Sequence, residues 1–143
     1  MKNLLRKLNY KQHKRITLIG AEEPFKKALS EELPDVITDY EIDPRYPYEF
    51  MIIFVRTMAD VERIAPVALH NLTADGILWF CYPKKTSRKF SPGLERNKGW
   101  ETLNNAGFHS IRIVSIDDDW SALRFRNVKF IKSVSQRFQD KNK

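Results

Sequence analysis

Three groups of residues in this 143-residue chain have the types and spacing to do chemistry. Gly20 closes a short β-branched run, Arg15–Ile19, and is followed by Ala21, Glu22, Glu23 and Pro24. A strand ending in a glycine turn that restarts as a helix is a place where backbone can approach a bound nucleotide. Asp39 and Glu41 stand at the end of a second short run, where a carboxylate can hold ribose hydroxyls or simply be solvated. Arg56 follows Phe50–Val55, a run without a polar residue. Its guanidinium can fork onto a carboxylate or phosphate, or pair with Asp39, Glu41 or Asp60. The third group is cationic and aromatic: Tyr82, Lys84 and Lys85, with Arg88 and Lys89 beyond, and Trp120 after the acidic run Asp117–Asp119. The lysines suit a mobile loop closing over an anion or an exposed solvated loop. Trp120 suits a ligand or partner contact or an anchor at the edge of the core.

Other chemistries find no residues to carry them, and no catalytic residue is assigned. Three consecutive carboxylates cannot all face one cation from an ordinary backbone. His13, His70 and His109 are far apart, and none pairs with a cysteine at ligand spacing, so no metal is expected. There is neither a nucleophile elbow nor a phosphate-binding loop motif. Cys81 is the single cysteine and ends an apolar run, which points to a core position in a chain of a reducing compartment, the cytoplasm. No apolar run reaches the roughly 18 residues of a membrane span, and the N-terminus lacks the apolar stretch of a secretory signal.

The elements that must position these residues follow from periodicity. Leu4, Leu5 and Leu8 predict a short helix over residues 3–8. Arg15–Ile19 is a first strand. Pro24 as a first helical residue, then Phe25, Ala28, Leu29 and Leu33, predicts a helix. Val36–Tyr40 is a second strand, Asp43–Tyr48 a loop, and Phe50–Val55 a third strand of the kind buried on both faces. Thr57 and Asp60 approximate a capping box for a helix through Leu72, in which Pro66 predicts a kink. Asp75-Gly76 predicts a turn and Ile77–Cys81 a fourth strand. Residues 82–99 read as a long irregular stretch. A helix near Trp100–Ala106 stops at Gly107, Phe108–Ser115 is a fifth strand, and Ser121–Asn127 alternates as a half-exposed sixth. The expected organisation is one α/β domain over 1–131 with a polar, flexible tail over 132–143.

Alternation of strand and helix implies parallel strands with helices on both faces. The last strand follows after only Ile116–Trp120, too short for a parallel crossover, and so runs antiparallel. The expected class is a Rossmann-like three-layer α/β sandwich, mostly parallel, with an antiparallel last strand. Charge is polarised within a net +7. Six cations and no acid occupy residues 1–15, six cations and one acid residues 84–98, and seven cations and one acid residues 124–143. Such patches suit an anionic ligand or nucleic acid, or act as solvated tails and loops.

Two sets of residues carry a resemblance. Tyr48–Lys85, with its strand, capped helix, Thr73–Gly76 turn and strand ending in Tyr82-Pro83-Lys84, resembles the second half of a class I S-adenosylmethionine-dependent methyltransferase core. Leu18–Ala21, Phe54–Arg56, Trp79–Lys85 and Asp118–Phe125, in that order, resemble the bacterial family of domain of unknown function thirty fifty-two. The resemblance covers roughly residues 4–130 and implies a truncated methyltransferase-like core with strand order 2-1-3-4-6-5. It implies no activity. In such sheets ligands bind where the winding reverses, outside the strand C-termini. Here that crevice would be walled by Gly20–Pro24, Asp39 to Glu41, Arg56-Thr57 and Tyr82–Lys85. The turn after strand 1 has one glycine where a working cofactor turn has several, and Glu22 and Glu23 would repel a pyrophosphate, against NAD and ATP. S-adenosylmethionine, cationic at sulfur, is not repelled, but the missing glycines weigh against it, and no cofactor is assigned. The favoured reading is a non-catalytic binding or accessory module on a degenerate methyltransferase scaffold. The alternatives are an S-adenosylmethionine-dependent methyltransferase and a nucleic-acid-associated basic protein. Partner identity and oligomeric state stay open.

Overall fold

The computed structural model describes residues 1–91 and 93–131. The expected flexible tail, 132–143, lies outside the described residues. The elements in chain order are α1 (Lys2–Lys7), β1 (Arg15–Ile19), α2 (Glu23–Glu32), β2 (Ile37–Asp39), β3 (Tyr48–Phe54), α3 (Met58–Asn71), β4 (Leu72–Pro83), α4 (Glu101–Asn105), β5 (Phe108–Ser115) and β6 (Trp120–Asn127). A 3-10 turn, Val128–Phe130, follows β6.

The six strands form one sheet in the order β2-β1-β3-β4-β6-β5, the order expected from the resemblance. β2, β1, β3 and β4 run parallel, and β6 is antiparallel to both β4 and β5. β3 shows how the layers form: Phe50, Ile52 and Phe54 pack with α1 and α2 through Leu5, Leu8 and Leu29. Met51, Ile53 and Val55 pack with α3 and α4 through Val61, Ala65, Ala68 and Leu103. Successive side chains of one strand thus feed two cores, and this is why the run has no polar residue.

Several expectations need correction. No helix joins β2 to β3, so strict alternation fails there. The loop between them is held by side chains instead: Asn71 Nδ2 donates to the carbonyls of Asp43 (3.0 Å) and Tyr46 (3.2 Å). β4 starts at Leu72 rather than Ile77. The residues read as a turn are an irregularity within the strand, between the pairings Tyr48↔Leu72 and Phe50↔Ile77, with Asp75 at φ +56°. β6 is not half-exposed but interior, with Trp120–Leu123 and Phe125 buried; the exposed edge is β5. The helix α3 continues through Pro66, whose missing N–H falls on the solvent side. Among the described residues no helix is long and apolar enough to cross a membrane.

Candidate functional site

The C-terminal ends of β1, β3 and β4 and the start of β6 share one edge of the sheet, where the winding reverses between β1 and β3. Gly20 lies there with φ +73°, and a Cβ on it would come within 2.6 Å of the Phe54 carbonyl oxygen. The glycine is therefore required by the close approach of two strand ends, whatever binds nearby. Ala21 is buried, and Glu22 is the N-cap of α2 without a capping side-chain bond. Its carboxylate reaches instead to Lys89 Nζ at 2.6 Å. That bond to Lys89 holds the Glu22 carboxyl below its ordinary range, with the Trp120 indole and Arg56 adding to it.

Arg56 is set by the capping box of α3. Asp60 Oδ2 accepts from the Arg56 N–H (2.9 Å) and the Thr57 N–H (3.2 Å), while Thr57 Oγ1 accepts from the Asp60 N–H (3.1 Å). This fixes the Arg56 backbone and leaves its side chain to lie over the ring of Phe90, 4.4 Å from guanidinium carbon to ring centroid. Phe90 also packs against Trp120, with ring centroids 5.0 Å apart, and Trp120 is itself 3% exposed and set edge-on to Phe54.

The segment after β4 is exposed along most of its length but is tethered at several points. The Lys84 N–H donates to the Asp119 carbonyl (2.8 Å) and Ser87 Oγ to the Asp119 carboxylate (2.7 Å). Ser87 Oγ in turn accepts from the Phe90 N–H (3.1 Å). Gly93 crosses the end of β3 so closely that a Cβ would sit 2.8 Å from the Arg56 carbonyl oxygen. Leu94 is fully buried in the core beside Trp100, and Lys85 pairs with Glu95 at 2.5 Å. The loop is drawn across the crevice like a strap. Among the described residues a cavity of about 190 Å³ lies against it, lined by Glu22, Phe25, Phe54, Lys89, Asp119 and Trp120.

The sequence-predicted residues do not meet in one place. Gly20, Arg56 and Trp120 border the crevice. Tyr82, Lys84 and Lys85 line a separate hollow of about 370 Å³ with Glu95, Arg96 and Ser121. Tyr82 is buried edge-on to Trp100, which pushes its phenol up, and Lys84 Nζ donates to Ser115 Oγ (2.6 Å). Asp39 is level with Thr17, two residues short of the end of β1, because β2 is only three residues long. Its Oδ2 accepts from Arg15 Nε (2.7 Å) and the Tyr48 hydroxyl (2.5 Å), both at the starts of their strands. Arg56 therefore does not pair with Asp39. Glu41 is exposed on the connection that follows. The Asp117–Asp119 run is a turn in which Asp117 Oδ1 accepts from the Asp119 and Trp120 N–H groups. Cys81 is fully buried, and burial pushes its thiol well up.

The residues missed in the sequence are Phe90 and Leu94, and Asp119, read there only as part of an acidic run, proves to hold Ser87. A signal existed: apart from Pro92, Phe90 and Leu94 are the apolar side chains of the basic segment 84–98, and a solvated loop has no use for them.

No protein-family model matches the chain, and no curated protein matches it. The resemblance to the family of domain of unknown function thirty fifty-two thus rests on its motifs alone. Solved structures do match. PigF with S-adenosylhomocysteine aligns with a TM-score of 0.59 at 13% identity over 87% of this chain and 53% of that one. The N-methyltransferase NodS from Bradyrhizobium japonicum, in complex with S-adenosylhomocysteine, aligns with a TM-score of 0.52 at 14% identity over 88% and 84%. A S-adenosylmethionine-dependent methyltransferase from Aquifex aeolicus aligns at 0.50, with 12% identity over 87% of both chains. The chain spans about half the length of PigF. Likeness at these identities establishes the fold, a methyltransferase-like Rossmann α/β core.

Proposed function

We propose that this chain is a cytoplasmic, non-catalytic binding or accessory module on a methyltransferase scaffold whose cofactor crevice is closed by its own loop. The observation that carries the reading is Phe90, held between Arg56 and Trp120 over the strand ends, with Lys89 tied to Glu22. The residues there do not fit S-adenosylmethionine. The one glycine of the turn is taken up by the approach of Phe54. The carboxylate at the end of β2 is turned to Arg15 and Tyr48. The cavity of about 190 Å³ that the described residues line there is below the roughly 300–1,000 Å³ of small-molecule sites. A wider hollow of about 730 Å³ lies on the outer side of the loop, but it is bounded by Thr86, Arg88, Lys89, Asp118 and Asp119 and has no apolar wall for an adenine ring. The motif resemblance to the bacterial family above, which implies the scaffold without an activity, supports the same reading.

A second reading, a S-adenosylmethionine-dependent methyltransferase with the 84–98 segment as a lid, is favoured by structural neighbours that carry S-adenosylhomocysteine. Thermal-shift titration with S-adenosylmethionine and S-adenosylhomocysteine, beside ATP as control, separates the two. A ligand at a hundred times its Kd stabilises by about 2.7 kcal/mol, several degrees for a domain of this size. The module reading expects no saturable shift at millimolar ligand. A saturable shift specific to the two sulfur compounds would overturn it in favour of the enzyme.

A further inference from the structure

β5 and β6 carry an arrangement that antiparallel strands avoid. Arg112 on β5 stands directly opposite Arg124 on β6, and Arg126 follows two residues on, on the same face. Like charges placed opposite each other in an antiparallel pair repel. Arg126 is held by Asp75, whose carboxylate accepts from Nε (2.7 Å) and Nη2 (2.6 Å), a two-point fork reached from the irregularity in β4 where Asp75 has φ +56°. Among the described residues no such fork is seen on Arg124. Its Nε–H is buried and makes no hydrogen bond, and burial, with the neighbouring Arg126 and Arg112, lowers its pKa from the ordinary value while Asp75 opposes the shift.

A half-buried guanidinium whose Nε–H is left unbonded, beside two other arginines, carries a desolvation cost. The group that completes such a cluster is an oxyanion able to take several planar donors at once, and a phosphate does so. Exposed cations also lie on α1, which is joined to this sheet face through Trp79. Trp79, the cross-strand neighbour of Arg124, donates its indole N–H to the Leu8 carbonyl at the end of α1 (2.8 Å), and α1 carries the exposed cations Lys2, Arg6 and Lys7. Cations spread over a sheet face and an adjoining helix suit a chain of phosphates better than a single one.

We propose that Arg112, Arg124 and Arg126 form a phosphate-binding face for the backbone of a nucleic acid, with Arg124 as the central donor. The site is separate from the crevice, and its test does not depend on whether the crevice is closed.

The test uses the full chain and two labelled probes, a 20-nucleotide single-stranded RNA and a 20-base-pair DNA duplex, followed by fluorescence anisotropy from 50 to 200 mM salt. Wild type is expected to bind at least one of them. The slope of log affinity against log salt should be about −2 for three phosphates on the single strand, or nearer −3 on the duplex. Arg124→Gln should lower affinity about tenfold and flatten that slope by about one phosphate's share, 0.7 to 0.9. Lys84→Ala/Lys85→Ala, on the other side of the molecule's loop region, should bind as wild type does. Arg124→Leu adds a readout that a structural role would not give: its Tm should hold or rise while its affinity falls, because an unpaired buried cation is removed. Three results would each overturn the proposal: no binding of either probe at 50 mM salt, unchanged affinity and slope in Arg124→Gln, or loss of binding in the lysine variant but not in the arginine variants. Binding of inorganic phosphate without either probe would likewise overturn it.

Discussion

The crevice and the β5–β6 face hold similar numbers of charged groups, but they treat them in opposite ways. In the crevice each charge meets a partner from the same chain: Glu22 meets Lys89, Asp119 meets Ser87, and Arg56 covers Phe90. On the β5–β6 face Arg112 and Arg124 meet each other, and one carboxylate, Asp75, serves Arg126. A region whose polar groups are satisfied internally asks nothing of a ligand, since a ligand must first displace those bonds. A region left with an unpaired buried donor has a standing deficit that a partner can fill. The crevice is thus the better satisfied of the two from within the chain, and the β5–β6 face is the one with a buried donor left unbonded.

The contrast breaks most visibly at Trp120. If the crevice wall is also core, Trp120→Ala should cost about 3–5 kcal/mol in urea unfolding, as buried aromatic truncations do. A loss below about 1 kcal/mol would mean the wall is only a cover and the crevice is open to remodelling. Next in size is Asp39→Ala, which leaves Arg15 and the Tyr48 hydroxyl without their shared acceptor. The expected loss is about 1–2 kcal/mol, towards the lower end for charged hydrogen bonds because the group is partly exposed. Unchanged stability would free Asp39 for a ribose-holding role.

Phe90→Ala tests the strap itself. The expected loss is smaller, about 1 kcal/mol from the contacts with Arg56 and Trp120. The clearer sign should be cleavage at Arg88 and Lys89 in limited trypsin digestion, where wild type resists. Equal digestion rates would show that the ring does not hold the segment. The smallest effect concerns Glu22 and Lys89. Because the folded Glu22 carboxyl sits below its unfolded range, its contribution is present above an unfolded value of about 4.3 and is lost as the pH falls through the folded one. The Tm difference between wild type and Glu22→Gln should therefore be present at neutral pH, diminish as the pH falls below the ordinary carboxylate range, and shrink in high salt as exposed pairs do. A difference that grows on acidification would contradict the pairing.

Much of the fold is legible residue by residue. The apolar run at β3, the glycine after β1, the Thr57–Asp60 cap and the left-handed stop at Gly107, at φ +87°, are local signals with local causes. Less of the candidate site is legible. Asp39 has the right type at the right strand end, yet β2 is too short to bring it to the crevice, and a strand's length depends on its neighbours. Lys84 and Lys85 read as a basic loop, while Phe90 and Leu94, which decide where that loop lies, carry no periodic signal in an irregular segment. Arg124 and Arg126 read as the wet side of a half-exposed strand, because alternation alone does not tell an interior strand from an edge one.

The sequence by itself determined the order of strands and helices, the two apolar faces of the sheet and the polarised charge, because these follow from side-chain period and composition along the chain. Only the tertiary structure decided that the segment after β4 is tethered through Ser87 and Phe90 beside the crevice, that the Asp39 carboxylate turns to Arg15 and Tyr48 at the starts of their strands, and that Arg112 stands opposite Arg124. Each of these is a meeting of residues separated along the chain, fixed by strand register and loop path, and such a meeting has energetic consequences only once packing brings the groups together.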